Sequence, residues 1–331
     1  MIQAPADRTS VIVIGNLNDD LMLQGVPGLP EWGRELLVEG HMVVTAGQAG
    51  YLSMALGALG RRVCCISAVG DDDRGTAIVA DLDRAGVDAS QVWRVRGART
   101  GLTVALVRPD GERAFVSDLG ASGAVAADMV ADAVAALPAP AMVAVVGVFN
   151  TPSLSVGDAA EVLRRARSGG AVTMFDPGWD PKGWSTPTRS AVLAALAHVD
   201  VFVPNADEAL ALTGHAQPRQ ALDTLWSAGA GAVVVKCGAD GSLGRDASGT
   251  VHHQPAVAVH GPVNAVGAGD TYDASLIHAL LDGAALPEAM SAAAAAAAFY
   301  VARTTDRFPG PEQIRTLLPA GTAHQIPEGH R

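Results

Sequence analysis

Residues 262–280 read PVNAVGAGDTYDASLIHAL, and this stretch holds the clearest indication of the fold. The small residues 267–269 come just before a helical pattern whose apolar positions include Leu276, Ile277 and Leu280. Backbone N–H groups at such a helix N-terminus have no partner within the helix, and the helix dipole makes the same place attractive to an anion. The stretch therefore predicts an anion-binding loop at the start of a helix.

Asp270 follows this loop directly and has two interpretations. An aspartate at the opening of a helix commonly serves as its N-cap. A carboxylate beside a phosphate-binding loop can instead accept the proton of a hydroxyl group that attacks phosphorus. Residues 15–18 lack the glycines of GxGxxG, and residues 236–242 do not form GxxxxGK[ST]. The sequence therefore points to a nucleotide site of another type.

Short apolar runs alternate with helical patterns along most of the chain. The first run, 11–14, ends at Gly15 and is typical of a buried strand in a parallel sheet. Later strand patterns lie at 63–67, 142–146, 172–175, 199–203 and 232–236, and helical patterns at 49–59, 76–85, 156–168, 191–197, 206–213 and 221–228. This alternation predicts an α/β fold with a right-handed, doubly wound, mainly parallel sheet. In such sheets ligands bind beyond the carboxyl ends of the strands.

Two strand-rich insertions interrupt this alternation. The second contains Pro109-Asp-Gly111 between the apolar runs 103–107 and 113–117, which is a strong hairpin signal. Together the insertions predict a small β-sheet lid formed by residues 16–45 and 97–118. The predicted core comprises the remaining residues 1–15, 46–96 and 119–318. Residues 319–331 show no periodicity and are predicted to form a loose tail.

The composition excludes several classes of protein. With 331 residues and 49% hydrophobic side chains, the chain is long and apolar enough for a large buried core. Its net charge is −11 and it has no run of Lys or Arg, so we expect no nucleic-acid partner. The three Cys residues form no zinc or redox spacing, and the alanine run 292–298 is too short to span a membrane. Because the N-terminus has no signal-peptide pattern, we expect a cytoplasmic protein without a membrane partner.

The opening stretch resembles a signature of a known enzyme family. Its residues 263–272, VNAVGAGDTY, are similar to the C-terminal motif of the ribokinase-like (PfkB) carbohydrate kinases, usually D-T-x-G-A-G-D-x-F. The family's other motifs are matched, in the same order, by residues 15–20, 46–60, 67–75, 110–115 and 204–208. The resemblance covers the chain from about residue 11 to about residue 315. It implies a ribokinase-like fold, ATP as phosphoryl donor, Mg²⁺ as cofactor and a small carbohydrate as acceptor.

The resemblance implies roles for the residues at the predicted helix start. Asp270 matches the general base that deprotonates the acceptor hydroxyl. Gly267, Ala268 and Gly269 match the anion hole that stabilises charge on the transferring γ-phosphoryl group. Both roles suit phosphoryl transfer, because that reaction depends mainly on positioning and on fixed dipoles where charge collects.

The resemblance also implies a nucleotide side of the site. Glu208 and Asn205 match the N-x-x-E motif that organises Mg²⁺ through water. Without the resemblance, the same two residues are interpreted as a solvated helix cap and first-turn acid. Lys236, Gly238 and Gly241 match the strand and turn that run under ATP in similar proteins. Lys236 either contacts a phosphate or lies in solvent at the end of its strand.

On the sugar side, Asn18 and Asp20 match a polar clamp for hydroxyl groups. Their alternative interpretation is an Asx-type turn after the first strand. Gly47 and Gln48 belong to an element that usually reads G-G-x-x-x-N, and Tyr51 stands at the position of its Asn. The ring of Tyr51 can stack on a sugar or a base, close the pocket, or pack in the core. The missing amide argues against ordinary ribose recognition.

Two further departures concern the substrate and a second cation. Asp176 matches the aspartate of the family's D-P-N-x-R element, whose Asn and Arg are missing here. The missing Arg disfavours an acidic or phosphorylated sugar, because bidentate binding of such groups favours a guanidinium. Asn264 replaces the signature aspartate that supports a monovalent-ion loop in cation-activated relatives. Activation by such a cation therefore stays open.

Three functions are compatible with these residues. The one we expect is an ATP-dependent sugar kinase that transfers the γ-phosphoryl group to a hydroxyl. The alternatives are a nucleoside kinase of the same fold, with Tyr51 stacked on the base, and a sugar- or nucleotide-binding protein without turnover. An exposed sheet edge invites pairing, so the lid is also a candidate surface for a homodimer.

Overall fold

The computed structural model describes residues 10–110, 112–259 and 265–318. The predicted loose tail at 319–331 lies outside these ranges, and so do residues 1–9 of the predicted core. Asn264, on which the question of a monovalent cation depends, also lies outside the described residues.

The described residues form strands and helices in alternation. The strands are β1 (Ser10–Ile14), β2 (Asn18–Gln24), β3 (Gly40–Ala46), β4 (Arg62–Gly70), β5 (Val87–Asp88), β6 (Val92–Val95), β7 (Gly101–Val107), β8 (Arg113–Asp118), β9 (Met142–Val146), β10 (Val172–Asp176), β11 (Val201–Phe202), β12 (Ala232–Lys236), β13 (Ser242–Arg245) and β14 (Val251–Gln254). The α-helices are α1 (Gln48–Ala58), α2 (Asp73–Arg84), α3 (Ala127–Ala136), α4 (Val156–Ser168), α5 (Thr186–Ala195), α6 (Ala206–Thr213), α7 (Pro218–Ser227), α8 (Ala268–Leu281), α9 (Leu286–Val301) and α10 (Pro311–Leu317). Short 3₁₀ turns lie at Gly120–Ala124, Val148–Asn150, Leu196–His198 and Gly238–Asp240.

The large sheet has the strand order β14-β13-β12-β11-β10-β9-β1-β4-β5, and β6 also pairs with β4. Neighbouring strands are parallel from β12 through β1 to β5, whereas β13 and β14 are antiparallel additions at one edge. The chain runs from β1 outward to β4 and β5 and then returns to β9 on the other side of β1. The order therefore reverses between β1 and β9, where ligands bind in folds of this type. The predicted doubly wound, mainly parallel α/β fold is confirmed.

A second, four-stranded sheet has the order β3-β2-β7-β8. Strands β7 and β8 form the predicted hairpin, with Val104 opposite Val116. Strand β2 pairs in parallel with β7 and antiparallel with β3, so the two insertions meet in one sheet. The predicted small lid sheet is thus present, while the residue limits of lid and core stay predictions.

Some predicted elements differ in length from the observed ones. The strand predicted at 199–203 is reduced to Val201–Phe202. The helix predicted at 191–197 begins earlier, at Thr186, because the Ser185 side chain accepts a hydrogen bond from the Thr188 N–H and caps the helix. Strand β13 was not predicted, because it contains a glycine that weakens its strand pattern in the sequence.

Helices cover both faces of the large sheet. One buried cluster includes side chains of α1, α8 and α9, and another includes those of α4, α6 and α7. The alanine run in α9 is buried against the first face, where short side chains allow helices to approach closely. Among the described residues, none of the helices has both the length and the apolar character needed to cross a bilayer.

Candidate active site

Helix α8 begins at the predicted anion loop. Gly267 precedes the helix in the left-handed region, with φ of 84°. A Cβ atom at this position would lie 2.4 Å from Tyr300 Oη, so only glycine fits without displacement. The Thr271 N–H donates to Gly267 O at 3.0 Å and closes the first turn, while the Ala268 N–H donates to Ala265 O at 3.1 Å. Gly267 occupies the N-cap position, so the interpretation of Asp270 as the N-cap is wrong.

Asp270 is the third residue of α8 and is half-buried. Burial is the main cause that raises its pKa to about 8, and the carboxylate of Asp176 raises it further. Lys236 opposes this shift, and Asp20 contributes to it. Because these charges come from β2, β10 and β12, the structure brings the predicted base, clamp and nucleotide strand into one electrostatic environment. A carboxylate with a raised pKa is a stronger proton acceptor than an ordinary aspartate.

The predicted sugar clamp is a chain of hydrogen bonds. Asn16 Nδ2 donates to Asn18 Oδ1 at 2.9 Å, and Asn18 Nδ2 donates to Asp20 Oδ1 at 2.8 Å. The Tyr51 hydroxyl donates to Asp20 Oδ2 at 2.9 Å. Burial raises the pKa of Asp20 to about 6, although both donors oppose the shift. Asn18 and Asp20 lie within β2, so their interpretation as an Asx-type turn is wrong.

Tyr51 lies between the clamp and the anion loop. Its side chain is buried, and its ring meets that of Tyr300 edge-on, with centroids 6.4 Å apart. A Cβ atom at Gly267 would lie 2.9 Å from Tyr51 Cδ1. Of the interpretations left open by the sequence, these contacts favour a ring that packs and closes the pocket. They disfavour a ring with a free face for stacking on a base.

Gly47 and Gln48 lie between the clamp and the loops that follow the neighbouring strands β9 and β10. Gly47 has a φ of 85°, and a Cβ atom there would lie 2.3 Å from Asn16 O. Gln48 Oε1 would lie 2.6 Å from a Cβ at Gly147 and 2.4 Å from one at Gly178. Those two glycines follow β9 and β10, so Gln48 packs against the carboxyl ends of both strands.

A small polar cavity, with a volume of about 30 Å³, opens between the lid and the core. It is lined by Asn16, Asn18, Thr103, Ser117, Asp118, Leu119, Ser122 and Asn150. Amide, hydroxyl and carboxylate groups dominate this lining, and none of the described lining residues is cationic. Such groups match the donors and acceptors of a neutral polyhydroxylated molecule.

Most of these lining residues were missed by sequence reasoning. Asn150 follows β9, immediately across the point where the strand order reverses, so the rule for ligand sites in doubly wound sheets gives a signal for it. The lid hairpin contains Thr103, Ser117 and Asp118. Nothing in their local sequence indicates which face of the lid sheet their side chains occupy.

Lys236 is buried between two carboxylates, so its interpretation as a solvent-exposed lysine is wrong. Its Nζ donates to Asp176 Oδ2 at 2.9 Å and to the two oxygens of Asp273 at 3.0 and 3.1 Å. Burial alone would lower the pKa of Lys236, but Asp176 and Asp273 outweigh it and hold this pKa above its ordinary value. Asp273 was missed by sequence reasoning, although its place three residues after Asp270 puts both on one side of α8.

Asn205 and Glu208 form a capping box at the start of α6. The Glu208 N–H donates to Asn205 Oδ1 at 2.9 Å, and the Asn205 N–H and Nδ2 donate to the Glu208 carboxylate at 2.9 and 2.7 Å. The pair therefore caps the helix, as the alternative interpretation predicted, but the expectation that it is solvated is wrong for Glu208, which is buried. Glu208 is 4% exposed, and burial, followed by the charge of Asp176, raises its pKa to about 8. Burial and the Asp176 carboxylate thus disfavour the charged form of Glu208, while the ammonium of Lys236 favours it.

Gly238 begins the 3₁₀ turn after β12, and Gly241 follows it. Gly238 has a φ of 58° and open space where a side chain would be. Gly241 has a φ of 86°, and a Cβ there would lie 2.0 Å from Gln254 O. The turn therefore requires glycine at 241 for packing against β14, and it places Gly238 at the surface.

Comparison with known proteins gives consistent matches. The model of the family described as "pfkB family carbohydrate kinase" matches residues 9–313. The 2-dehydro-3-deoxygluconokinase of Bacillus subtilis is 28% identical over 294 residues, which cover 85% of this chain and 88% of the relative. The ribokinase of Arabidopsis thaliana, solved with ribose and ATP, has a TM-score of 0.75 at 22% identity and covers 94% of this chain and 98% of its own. A chain described as a ribokinase II of E. coli, solved with ATP and Mg²⁺, has a TM-score of 0.79 at 23% identity, with 93% and 98% covered.

Proposed function

Because the chain belongs to the pfkB family of carbohydrate kinases, we propose that it transfers the γ-phosphoryl group of ATP to a hydroxyl of a small neutral sugar, with Asp270 as general base. The family assignment makes the chain a phosphotransferase with an alcohol group as acceptor. The observation that carries the finer proposal is the position of Asp270. It stands in the first turn of α8, beside the anion loop, where the Asp20 carboxylate of the clamp acts on its pKa. Acceptor and phosphoryl group can therefore meet at one carboxylate.

In the proposed reaction, Asp20 and Asn18 orient the sugar so that one hydroxyl faces Asp270. Asp270 takes the proton of this hydroxyl as the oxygen attacks the γ-phosphorus. The backbone of Gly267, Ala268 and Gly269 stabilises the charge that develops on the phosphoryl oxygens. Gly47, Gln48, Tyr51 and Asp176 complete the sugar side.

We assign the nucleotide side to Asn205, Lys236, Gly238 and Gly241, which lie at the ends of β11 and β12. Among the described residues, no three His, Cys, Asp or Glu side chains are grouped so that they could hold a metal ion. Glu208 and Asn205 suit a contact through water, since Mg²⁺ keeps several waters. When bound, Mg²⁺ neutralises charge on the β- and γ-phosphates. A cytoplasmic location, where ATP is available, is part of the same proposal.

The cavity chemistry favours a neutral sugar over a sugar acid. Among its described lining residues none carries a positive charge, and carboxylate recognition usually relies on one. The test is an ADP-release assay with ribose, fructose and related neutral sugars, with 2-dehydro-3-deoxygluconate, and with nucleosides. We expect turnover with a neutral sugar. Preference for the sugar acid or for nucleosides would overturn the acceptor class, and ATP binding without ADP release from any acceptor would contradict the kinase function.

Replacing Tyr51 by phenylalanine is expected to raise the KM for the sugar about tenfold at pH 7 while leaving the KM for ATP unchanged. The variant removes one of the two side-chain donors to Asp20, and a hydrogen bond to a charged group contributes about 1.5–3 kcal/mol. Without this donor the pKa of Asp20 rises above 6, so a higher assay pH should partly restore sugar binding. Tyr300→Phe is the control, because it removes the hydroxyl of the neighbouring ring, whereas the tyrosine donor to Asp20 is Tyr51. An unchanged sugar KM in Tyr51→Phe would show that the hydroxyl does not act through Asp20.

We also propose that two copies of the chain associate through the lid. Strand β8 lies at an edge of the lid sheet, and its Phe115 and Val116 are 50% and 64% exposed. Val116 lies in register with Val104, Leu21 and Val43, which extends an apolar row across the sheet. Sedimentation velocity should find a dimer that Val116→Lys converts to monomer. A monomeric wild-type protein at micromolar concentration would exclude this association.

A further inference from the structure

The ammonium group of Lys236 lies next to the anion loop as well as between its two carboxylates. A Cβ atom built on Gly269 would lie 3.6 Å from Lys236 Nζ. The Lys236 side chain is 12% exposed, whereas those of Asp176 and Asp273 are 4% and 1% exposed. A full positive charge is therefore held in a nearly closed space beside the first turn of α8.

This arrangement is electrostatically unusual. The N-terminus of a helix carries a partial positive charge, so an ammonium beside it is repelled unless anions surround it. A buried charge also needs partners to offset its lost hydration. Asp176 and Asp273 supply the negative charges that offset this repulsion and the hydrogen-bond partners that offset the lost hydration. The helix dipole also attracts an incoming phosphoryl group to this place. Its oxygens carry negative charge, as the two carboxylates do, and can therefore also accept a hydrogen bond from the ammonium.

The two carboxylates hold the ammonium differently. Asp273 binds it through both oxygens and lies on α8, the helix that forms the anion loop. Asp176 contacts it through Oδ2 only, and its Oδ1 already accepts a hydrogen bond from the Gly178 N–H at 3.2 Å. An ammonium has three N–H donors, and all are directed to these carboxylates here. The single bond to Asp176 is the one that can be exchanged without releasing Lys236 from α8.

We propose that Lys236 completes the anion hole by exchange: Asp273 holds it in place while one N–H passes from Asp176 to an oxygen of the transferring phosphoryl group. The exchange frees Asp176 Oδ2 to accept a hydroxyl of the sugar. Lys236 is then a catalytic residue and Asp273 a positioning residue. The inference rests on the proposed kinase function. It adds a coupling between the two substrates, because binding of the γ-phosphate frees Asp176 Oδ2 for the sugar.

The test compares sugar affinity with and without nucleotide. Isothermal titration of the wild-type protein with its sugar should show about tenfold tighter binding in the presence of Mg²⁺ and a non-hydrolysable ATP analogue, within the usual range of coupling between sites. ADP lacks the γ-phosphate and should give no such increase. Lys236→Met should abolish the increase and lower kcat by about 100-fold, which is typical for loss of one donor in an oxyanion hole.

Further variants separate this exchange from a purely structural role. Lys236→Met leaves two buried carboxylates without their partner. The double variant Lys236→Met with Asp273→Asn removes one charge of each sign and therefore leaves less uncompensated charge. Asp273→Asn alone should lower kcat and weaken the coupling while leaving the KM for ATP within about threefold. Asp207→Asn, an exposed acid in the first turn of α6, is the control. Thermal unfolding of each variant establishes that it is folded before it is assayed.

Three outcomes would overturn these statements, one for the kinase function and two for the exchange. If no acceptor is phosphorylated by the wild-type protein, the proposed function itself is wrong. If the wild-type protein is active but folded Lys236 variants keep both kcat and the nucleotide effect on sugar affinity, the kinase function stands and the exchange is wrong. An equal increase in sugar affinity with ADP would also contradict the exchange, because the γ-phosphate would then play no part.

Discussion

Asp270→Asn is expected to lower kcat by at least about 100-fold, which corresponds to about 2.7 kcal/mol of transition-state stabilisation. The amide has nearly the shape of the carboxylate but cannot accept the proton of the attacking hydroxyl. The KM values should change far less, because Asp270 is the third residue of α8 and does not cap it. Steady-state kinetics with the best acceptor from the panel measure this difference. Asp207→Asn, which removes an exposed first-turn acid from α6, should keep wild-type kcat.

The same residue predicts a pH dependence. Burial raises the pKa of Asp270 to about 8, and a base acts only when it is deprotonated. In the free enzyme, kcat/KM should therefore rise about tenfold per pH unit below pH 8 and level off above it. The rising limb should disappear in Asp270→Asn. A wild-type kcat in this variant, or a profile that is unchanged by it, would refute the assignment of Asp270 as the base.

Gly47→Ala should be the most disruptive single-methyl change in the sugar clamp. Gly47 has a φ of 85°, and the added Cβ would lie 2.3 Å from Asn16 O and 2.9 Å from Asn18 Oδ1. The left-handed conformation alone costs an alanine about 1–2 kcal/mol. The collision with a backbone oxygen adds to this, since the clamp and the start of α1 must separate. We expect at least about 3 kcal/mol of lost unfolding free energy and a sugar KM raised more than tenfold.

Gly60→Ala separates the cost of the left-handed conformation from the cost of the steric collision. Gly60 follows α1 with a φ of 78°, but nothing lies within 4 Å of the position of its Cβ. It should therefore lose only the conformational part, about 1–2 kcal/mol, and keep wild-type KM values. Urea unfolding and steady-state kinetics of both variants give the comparison. Equal losses of stability in the two variants would mean that the clamp relaxes around the methyl group.

Local signals in the sequence predicted local structure well. The spacing of Asn205 and Glu208 indicated a helix start, and the capping box is present there. The Pro109-Asp-Gly111 turn indicated a hairpin, and β7 and β8 pair as expected. In each case the residues that interact are close in the chain, so their chemistry is readable from their spacing.

Contacts between distant segments were not readable in this way. Lys236 and Asp273 are 37 residues apart, and only the packing of α8 beside β12 brings them together. Tyr51 shows the same limit, because its hydroxyl bonds to Asp20 across 31 residues while its ring meets Tyr300. The sequence allowed several roles for this ring, and the choice among them depends on which neighbours the fold supplies.

The capping box at α6 has a consequence for how such a site can change. Asn205 and Glu208 hold each other and the start of a helix, so a substitution made to alter their proposed contact with Mg²⁺ would also remove a helix cap. Losing such a cap removes about 1 kcal/mol. A library screened for a new metal preference at these two positions would therefore start from variants that are about 1 kcal/mol less stable. Changes to residues around the pair, rather than to the pair itself, would leave this cap in place.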